Sequence, residues 1–516
     1  MLEVLTEQDL HRIHDASLEI LETNGVTFHE SPEAAETLRE HGCEVDGFRA
    51  RYPRRLVEEA LGLVPDRNQL SFDYAPLAVT EPMSLKKGET HVGLIGNSFY
   101  IYDYQRGSHR DCVEQDEDDK CLVLDSLQNV KYDCCNLVFH SERVGKRITP
   151  DFSSADPAAA FLRRRVRDRQ RALRLTGRGP DTLSMRLLSR TGQELLLEGL
   201  SIVVLQGRPD GERLLERCFI PFVWCNPKSP LQYSAEETGG IMAVARSSAA
   251  SRWAMISPEV MMGATGPVTV AGSLVQQNAE ILAGTVLAQL VQPGTPVIYG
   301  CVTAPMDLRT AEISQGNFEA ALINAAAVQM ADHYGMPSRI APGNTSAREP
   351  GVRAAVEMTL GLYMGLAAGG NLITTGLLDS TLMVSYEHLV LMDELLGQIG
   401  SITRGITTEG SGLALDVLKE HGHPSPDFLG SDHTLEHMKR DIYYSDYTGR
   451  TNRSYEKWYE KAHARVEQVL DRQPDDERLE PAIEERLAAV EARLREDNES
   501  WRRAEGEWWR LYIQDL

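Results

Sequence analysis

Trp253-Ala254-Met255-Ile256-Ser257, then Met262-Gly263-Ala264-Thr265-Gly266-Pro267-Val268-Thr269, then Gly272 through Gln292, then Thr295-Pro296-Val297-Ile298-Tyr299-Gly300-Cys301-Val302: read in that order, these residues decide the fold. A short apolar run reads as a buried strand. A loop of small residues follows, then a stretch in which Leu274, Ile281, Leu282, Leu287 and Leu290 recur near the helical period. Pro293-Gly294 stops that helix, and the next apolar run is a second buried strand.

Working outward, the unit repeats. The loop Thr303–Gly316 leads to a helix Phe318–Tyr334, then a strand Ser338–Ala341 and the loop Pro342–Pro350. A helix Val352–Ala368, a strand Asn371–Thr375 and a helix Ser385–Ile399 complete four units. Strands alternating with helices of this length imply βαβ units and a parallel sheet. The expected fold is α/β, with four such units favouring a TIM (β/α)8 barrel over an open parallel sheet, which spacing alone does not exclude. Thr265, Thr303, Asn344 and Gly376 then belong to loops at one end of it, the end where such folds carry their sites.

Upstream, Thr6–Asn24 reads as an amphipathic helix capped by Thr6, followed by helices near Glu33–His41 and from Tyr52. Ser71–Tyr74 and Ser98–Tyr104 read as short antiparallel strands, with Gly93–Asn97 as a glycine-rich turn before the second. Helices are expected near Glu114–Leu127 and Asp156–Leu175, and a strand at Cys218–Trp224. Downstream, Leu479, Ile483, Leu487, Val490 and Leu494 space a long amphipathic helix that packs on the body or on another subunit. It runs toward an aromatic cluster of Trp501, Trp508, Trp509 and Tyr512. The expected division is residues 1–112 as N-terminal helices and a small β region, 113–442 as the barrel, and 443–516 as a helical extension.

The 516 residues carry a formal charge of −23, which disfavours nucleic acid and anionic membrane as partners. No apolar run approaches the ~20 residues of a membrane span, and the start carries no export signal. A cytoplasmic enzyme, as a homo-oligomer, is the expectation. The eight cysteines contain no Cys-x-x-Cys pair and read as reduced thiols. His433 and His437 fall one helical turn apart with His421 and His423 nearby; a zinc site is conceivable, but polar surface histidines are the preferred reading, and no protein-bound metal is expected.

Gly263-Ala264-Thr265-Gly266-Pro267-Val268-Thr269-Val270-Ala271-Gly272, the Ala279-Glu280 helix, Pro296-Val297-Ile298-Tyr299-Gly300 and Ser385-Tyr386-Glu387 together resemble the trimethylamine:corrinoid methyltransferase family; Ala16–Leu21 is a looser match. The resemblance implies a TIM barrel and a site at its mouth. It also implies methyl transfer from a methylated amine to the cobalt of a corrinoid carried by a separate partner protein. Some members carry pyrrolysine, whereas others, similar to glycine betaine methyltransferases, use ordinary residues on quaternary amines. Gly343-Asn344-Thr345-Ser346-Ala347-Arg348, where the special residue is expected, is written in standard residues. A quaternary amine donor is therefore expected, with trimethylamine or another small methylated donor, and a non-catalytic amine-binding protein, as alternatives.

A quaternary ammonium leaves as a neutral tertiary amine, so the protein must hold a cation and exclude water rather than supply a proton. Aromatic faces suit the cation, at ~2 kcal/mol for a desolvated contact, and arginine suits a donor carboxylate. The candidates for donor binding are Tyr100, Tyr102, Trp224, Tyr299, Phe318, Arg309 and Arg348, with Arg339 a third arginine. Asn344, Thr345 and His388 are the catalytic candidates. Gly263, Thr265, Gly266, Gly343 and Glu387 are expected to face the corrinoid. For each of these a packing or surface role is the competing reading.

Overall fold

The computed structural model describes residues 2–69, 84–137, 139–140, 147–148, 222–246, 253–421, 428–445, 447, 458–471 and 481–505. The expected strand at Ser71–Tyr74, the helix Asp156–Leu175, His423 and the aromatics Trp508, Trp509 and Tyr512 lie outside those residues.

Seven strands make one sheet: β1 (His91–Ser98), β2 (Val130–Leu137), β3 (Phe222–Cys225), β4 (Trp253–Ile256), β5 (Val297–Cys301), β6 (Ser338–Gly343) and β7 (Leu372–Thr375). Their order is β3-β4-β5-β6-β7-β1-β2, and each neighbouring pair is parallel. The last strand thus pairs with the first and the sheet curls on itself, leaving β2 and β3 at its two ends. The fold is α/β with a curled parallel sheet. Because the strands are parallel, the loops bearing Thr265, Thr303, Asn344 and Gly376 all leave from one end.

The turn expected at Gly93–Asn97 is overturned: these residues lie inside β1. Glycine there serves close packing, since a Cβ on Gly93 would fall 2.3 Å from the Tyr132 carbonyl oxygen. The Ser98–Tyr104 region does form a hairpin, Tyr100–Asp103 against Ser108–Asp111, to one side of the main sheet.

The sheet buries both faces, and alternate residues serve different cores. Inside the curl lie Ile95, Tyr132, Trp253, Met255, Ile298 and Leu372, with Trp224 packed on them. Outside it, Leu94, Cys135, Cys225, Ala254, Ile256, Val297, Tyr299, Cys301, Ile340 and Ile373 join the large core shared with the helices. Those helices include α1 (Glu7–Thr23), α2 (Val270–Val291), α3 (Phe318–His333), α4 (Val352–Ala368), α5 (Tyr386–Thr403) and α6 (Trp458–Leu470); a further helix, α7 (Pro481–Glu505), lies outside that core. Thr6 and Asp9 form a capping box at the start of α1, and the Thr269 hydroxyl accepts from Gly272 N at the start of α2.

Helix α2 is buried on all sides, because α1 and the helix Arg54–Leu63 cover the side turned away from the sheet. Ser17, the one polar residue on the apolar side of α1, donates to Ile13 O and Val275 O across that contact. In the C-terminal region α6 packs on α5, and Leu487, Val490 and Leu494 of α7 are buried. Cys43, Cys112, Cys121, Cys135, Cys225 and Cys301 are buried free thiols, and no described helix is long and apolar enough to cross a membrane.

Candidate active site

The end of the curled sheet from which the strand-to-helix loops leave gathers polar side chains from three neighbouring strands. Glu259 follows β4, Gln315 ends the loop after β5, and Asn344 follows β6 directly. They form a chain: Gln315 Nε2 donates to Glu259 Oε1 at 3.3 Å, and Asn344 Nδ2 donates to Gln315 Oε1 at 3.3 Å. Gln315 and Asn344 are buried. Burial holds the Glu259 carboxyl above its usual range, opposed by the Gln315 hydrogen bond and by the positive charge of Arg339.

Arg339 is buried on β6, and its guanidinium carbon sits 5.2 Å from the centroid of the Trp224 ring. Trp224 Nε1 donates to Asn226 Oδ1 at 2.7 Å in the loop after β3. That loop is held from below by Glu280 of α2, which accepts from Ser229 Oγ at 2.9 Å and Leu231 N at 2.8 Å. Burial raises the Glu280 carboxyl to about 7.

Three buried side-chain oxygens here have no hydrogen-bond partner: Ser257 Oγ, Asn344 Oδ1 and Thr374 Oγ1. Unmatched buried groups cost ~1–3 kcal/mol each, so they mark a place completed by water or a polar ligand. Gly300 lies in the same layer as Ser257, and a Cβ on it would fall 1.8 Å from Ser257 Oγ; only glycine lets the two strands share that space. A half-buried acid, a buried guanidinium, an indole and amide groups make this a small polar cluster set against an apolar core.

The structure brings together Asn344, Trp224 and Arg339 of the expected residues. Others it places elsewhere. Tyr299 points outward: its hydroxyl donates to Asn278 Oδ1 of α2 at 3.1 Å and its ring stacks near Tyr334, so it belongs to the core between sheet and helices. Phe318 starts α3 on the outside. Arg309 is 88% exposed and paired with Asp307, and Arg348 pairs with Glu312 and Asp379 on the surface.

Thr345 is a loop fastener, donating to Glu357 Oε2 at 2.5 Å and accepting from Ala347 N. His388 is buried in the first turn of α5, and desolvation lowers it to about 4, so it is neutral and closed off from an approaching corrinoid. Glu387 is buried too, and bonds His463 of α6 at 2.9 Å. Tyr100 and Tyr102 are half-buried against Ala347, Ala354, Leu378 and Met383, beside the Asn344 loop.

Gly263, at φ +90°, turns the loop after β4; Thr265 Oγ1 accepts from Met261 N, and Gly266 packs on Val260. Gly343 sits at a register shift in β6. His433 and His437 stack at 4.2 Å with both Nε2 atoms on Ser411, and no described group of three or more His, Cys, Asp or Glu is arranged to hold a metal.

Sequence reasoning missed Glu259 and Gln315. Glu259 carried a signal, a lone acid in Ser257-Pro258-Glu259 directly after a buried strand. Gln315 carried none.

A model of the trimethylamine methyltransferase (MTTB) family matches residues 1–119 and 201–497. The chain belongs to that family. Among its MTTB relatives, the glycine betaine methyltransferase of Desulfitobacterium hafniense (strain Y51) is 28% identical over 498 residues, 94% of this chain and 96% of that protein. The trimethylamine methyltransferase MttB2 of Methanosarcina mazei is 29% identical over 427 residues, 82% and 80% of the two chains. A solved structure, the hydroxylamine complex of MtmB, aligns over 90% of this chain and 88% of that one with a TM-score of 0.46 and 11% identity. As an MTTB member the chain is a methyltransferase, in keeping with the motifs around Gly263–Gly272 and Pro296–Gly300.

Proposed function

We propose that this methyltransferase moves a methyl group from a quaternary amine of the glycine betaine type to the cobalt of a corrinoid carried by a separate cytoplasmic protein, and that its curled sheet closes as a (β/α)8 barrel. The observation that carries the reading is the Glu259–Gln315–Asn344 chain beside Arg339 and Trp224. Glu259 and Arg339 are opposite charges held in one buried place, so a zwitterion can lie between them without leaving a net charge out of water. Its ammonium faces the Glu259 carboxylate; its carboxylate meets the Arg339 fork. Asn344 Oδ1, Ser257 Oγ and Thr374 Oγ1 are free to orient the donor or its last waters.

In the Co(I) state a corrinoid supplies the nucleophile for the methyl carbon. The chain's own task is to desolvate the ammonium, fix one methyl toward the mouth and accept a neutral amine as it leaves. No proton is needed from Glu259, which works as a fixed charge.

The test is a screen of glycine betaine, tetramethylammonium and trimethylamine with a Co(I) corrinoid protein, following cobalt methylation by absorbance. Glycine betaine should give the highest kcat/KM. A higher value for trimethylamine would overturn the assignment. The raised Glu259 carboxyl favours that second reading in one respect, since a tertiary donor leaves as an amine that needs a proton and Glu259 can hold one.

A further inference from the structure

The two amides of the site, Gln315 and Asn344, stand on different loops, and each is followed at once by a residue that touches the same carboxylate. Thr345, after Asn344, donates Oγ1 to Glu357 Oε2 at 2.5 Å, and Ser346 N donates to that oxygen at 2.9 Å. Gly316, after Gln315, lies against it: a Cβ there would fall 2.0 Å from Glu357 Oε2, so the β5 loop comes this close only as glycine. The two loops also meet directly, Gly316 N donating to Ser346 Oγ at 3.3 Å. The β7 loop joins them through Ser380, whose N donates to Thr345 O at 2.9 Å and whose Oγ donates to Ile313 O at 3.1 Å. Glu357 is itself fixed on α4, where Oε1 accepts from Arg353 Nε at 2.7 Å.

The lengths separate what holds from what is held. Hydrogen bonds to a carboxylate are roughly twice as strong as those between neutral groups, and the ones at Glu357 are short. The bonds from Asn344 to Gln315 and from Gln315 to Glu259 are both 3.3 Å. A further displacement of ~0.3 Å carries either to a length at which a side-chain contact is no longer a hydrogen bond. The amides therefore depend on loops that are held from elsewhere.

We propose that Glu357 is the positioning residue of this site: by gripping the β6 loop and backing the β5 loop at once, it keeps Asn344 and Gln315 in reach of each other and of Glu259. It acts on the donor only through the two amides. The proposal rests on the reading of Glu259, Gln315 and Asn344 as the donor site and adds what keeps them together.

The test reads Glu259 directly, in the full chain. Gln315 donates to that carboxyl and lowers it against the effect of burial, so a lost Gln315 contact lets it rise. Its infrared C=O band, assigned by its absence in Glu259→Gln, is titrated against pH. Gln315→Leu should shift the titration upward by about half a pH unit. Glu357→Ala and, independently, Gly316→Ala should shift it upward by a similar amount and raise KM for glycine betaine about tenfold. Circular dichroism checks the fold, and should one of the two misfold, the other decides. Glu357→Ala should add nothing in a Gln315→Leu background, because both remove the same contact. A titration unmoved by Glu357→Ala and Gly316→Ala overturns the proposal, as does a Glu357→Ala shift that adds in full to that of Gln315→Leu. A Gln315→Leu titration that matches wild type removes the Gln315–Glu259 contact, and both readings with it. A wild type that takes no methyl from glycine betaine overturns the donor assignment, while the titrations still decide the role of Glu357.

Discussion

Two asparagines mark the two ends of the sheet. Asn371, just before β7, has its amide satisfied: Oδ1 accepts from Arg67 Nη1 at 2.8 Å and from Ser338 N at 3.0 Å, and Nδ2 donates to Lys86 O and Glu89 O at 2.9 Å. Arg67 continues to Asp332 and Met336 O. Asn344, just after β6, makes one bond to Gln315 and leaves Oδ1 unmatched. One end is riveted and the other is left incomplete. In parallel α/β folds that asymmetry separates the end that holds the protein together from the end that acts.

The contrast can be broken at either asparagine. Asn371→Ala takes one of three partners from a buried guanidinium and leaves a backbone N–H and two carbonyls without theirs, so it should cost about 4 kcal/mol of stability, with donor KM unchanged in the protein that remains folded. Denaturant melts with steady-state kinetics check this; a loss under about 1 kcal/mol would mean that water replaces the amide.

Two buried carboxyls sharpen the same division. Glu280, beneath the β3 loop, has its folded pKa raised to about 7 from 4.5. The folded state therefore holds a proton that the unfolded chain has released. The associated stability is complete below pH 4.5 and is lost as pH rises to about 7, a fall of about 3 kcal/mol. Glu280→Gln should flatten this slope in melts run across that window.

Glu259→Gln should do the reverse. Donor kcat/KM should fall roughly a hundredfold, because a fixed charge facing the reacting group is removed, with Tm changed little, since losing a desolvated carboxylate is offset by leaving Arg339 without its counter-charge. Its wild-type activity should decline as pH drops through the raised Glu259 value, and the variant should lose that acid limb. Equal activity in wild type and Glu259→Gln would remove Glu259 from the site.

Smaller effects separate inside from outside. Tyr299→Phe loses the bond to Asn278 and should cost about 1 kcal/mol, leaving donor KM alone; a tenfold rise in KM would return Tyr299 to the interior. Arg309→Ala should change neither Tm nor donor KM measurably, its pair with Asp307 being open to solvent.

The strand and helix pattern from Trp253 to Ile399 was legible because each helix has a stop and each strand is a short apolar block. The faces of those strands were not. A strand buried on both sides shows no alternation, so nothing in Val297-Ile298-Tyr299-Gly300-Cys301 says that Ile298 and Gly300 turn inward while Tyr299 meets the helices. Gly93 and Gly96 read as a turn for the same reason that they fit β1: they lack the side chain that would collide with Tyr132 or Leu377. Asn344 and Trp224 were readable as strand ends, whereas Gln315 enters through a hairpin in the β5 loop, whose course depends on pairing with Pro305 and Met306 rather than on local pattern.

The seam between β7 and β1 has a consequence for how the chain is made. Leu372 pairs with His91, about 280 residues apart along the chain, so β1 emerges from the ribosome long before its partner exists. At roughly 5–20 residues per second of synthesis, one edge of β1 waits for about 15–60 s with its backbone donors and acceptors unpaired. A strand in that position is an aggregation hazard until its neighbour arrives. Nascent chains halted before residue 372 should therefore engage chaperones that the finished protein does not need.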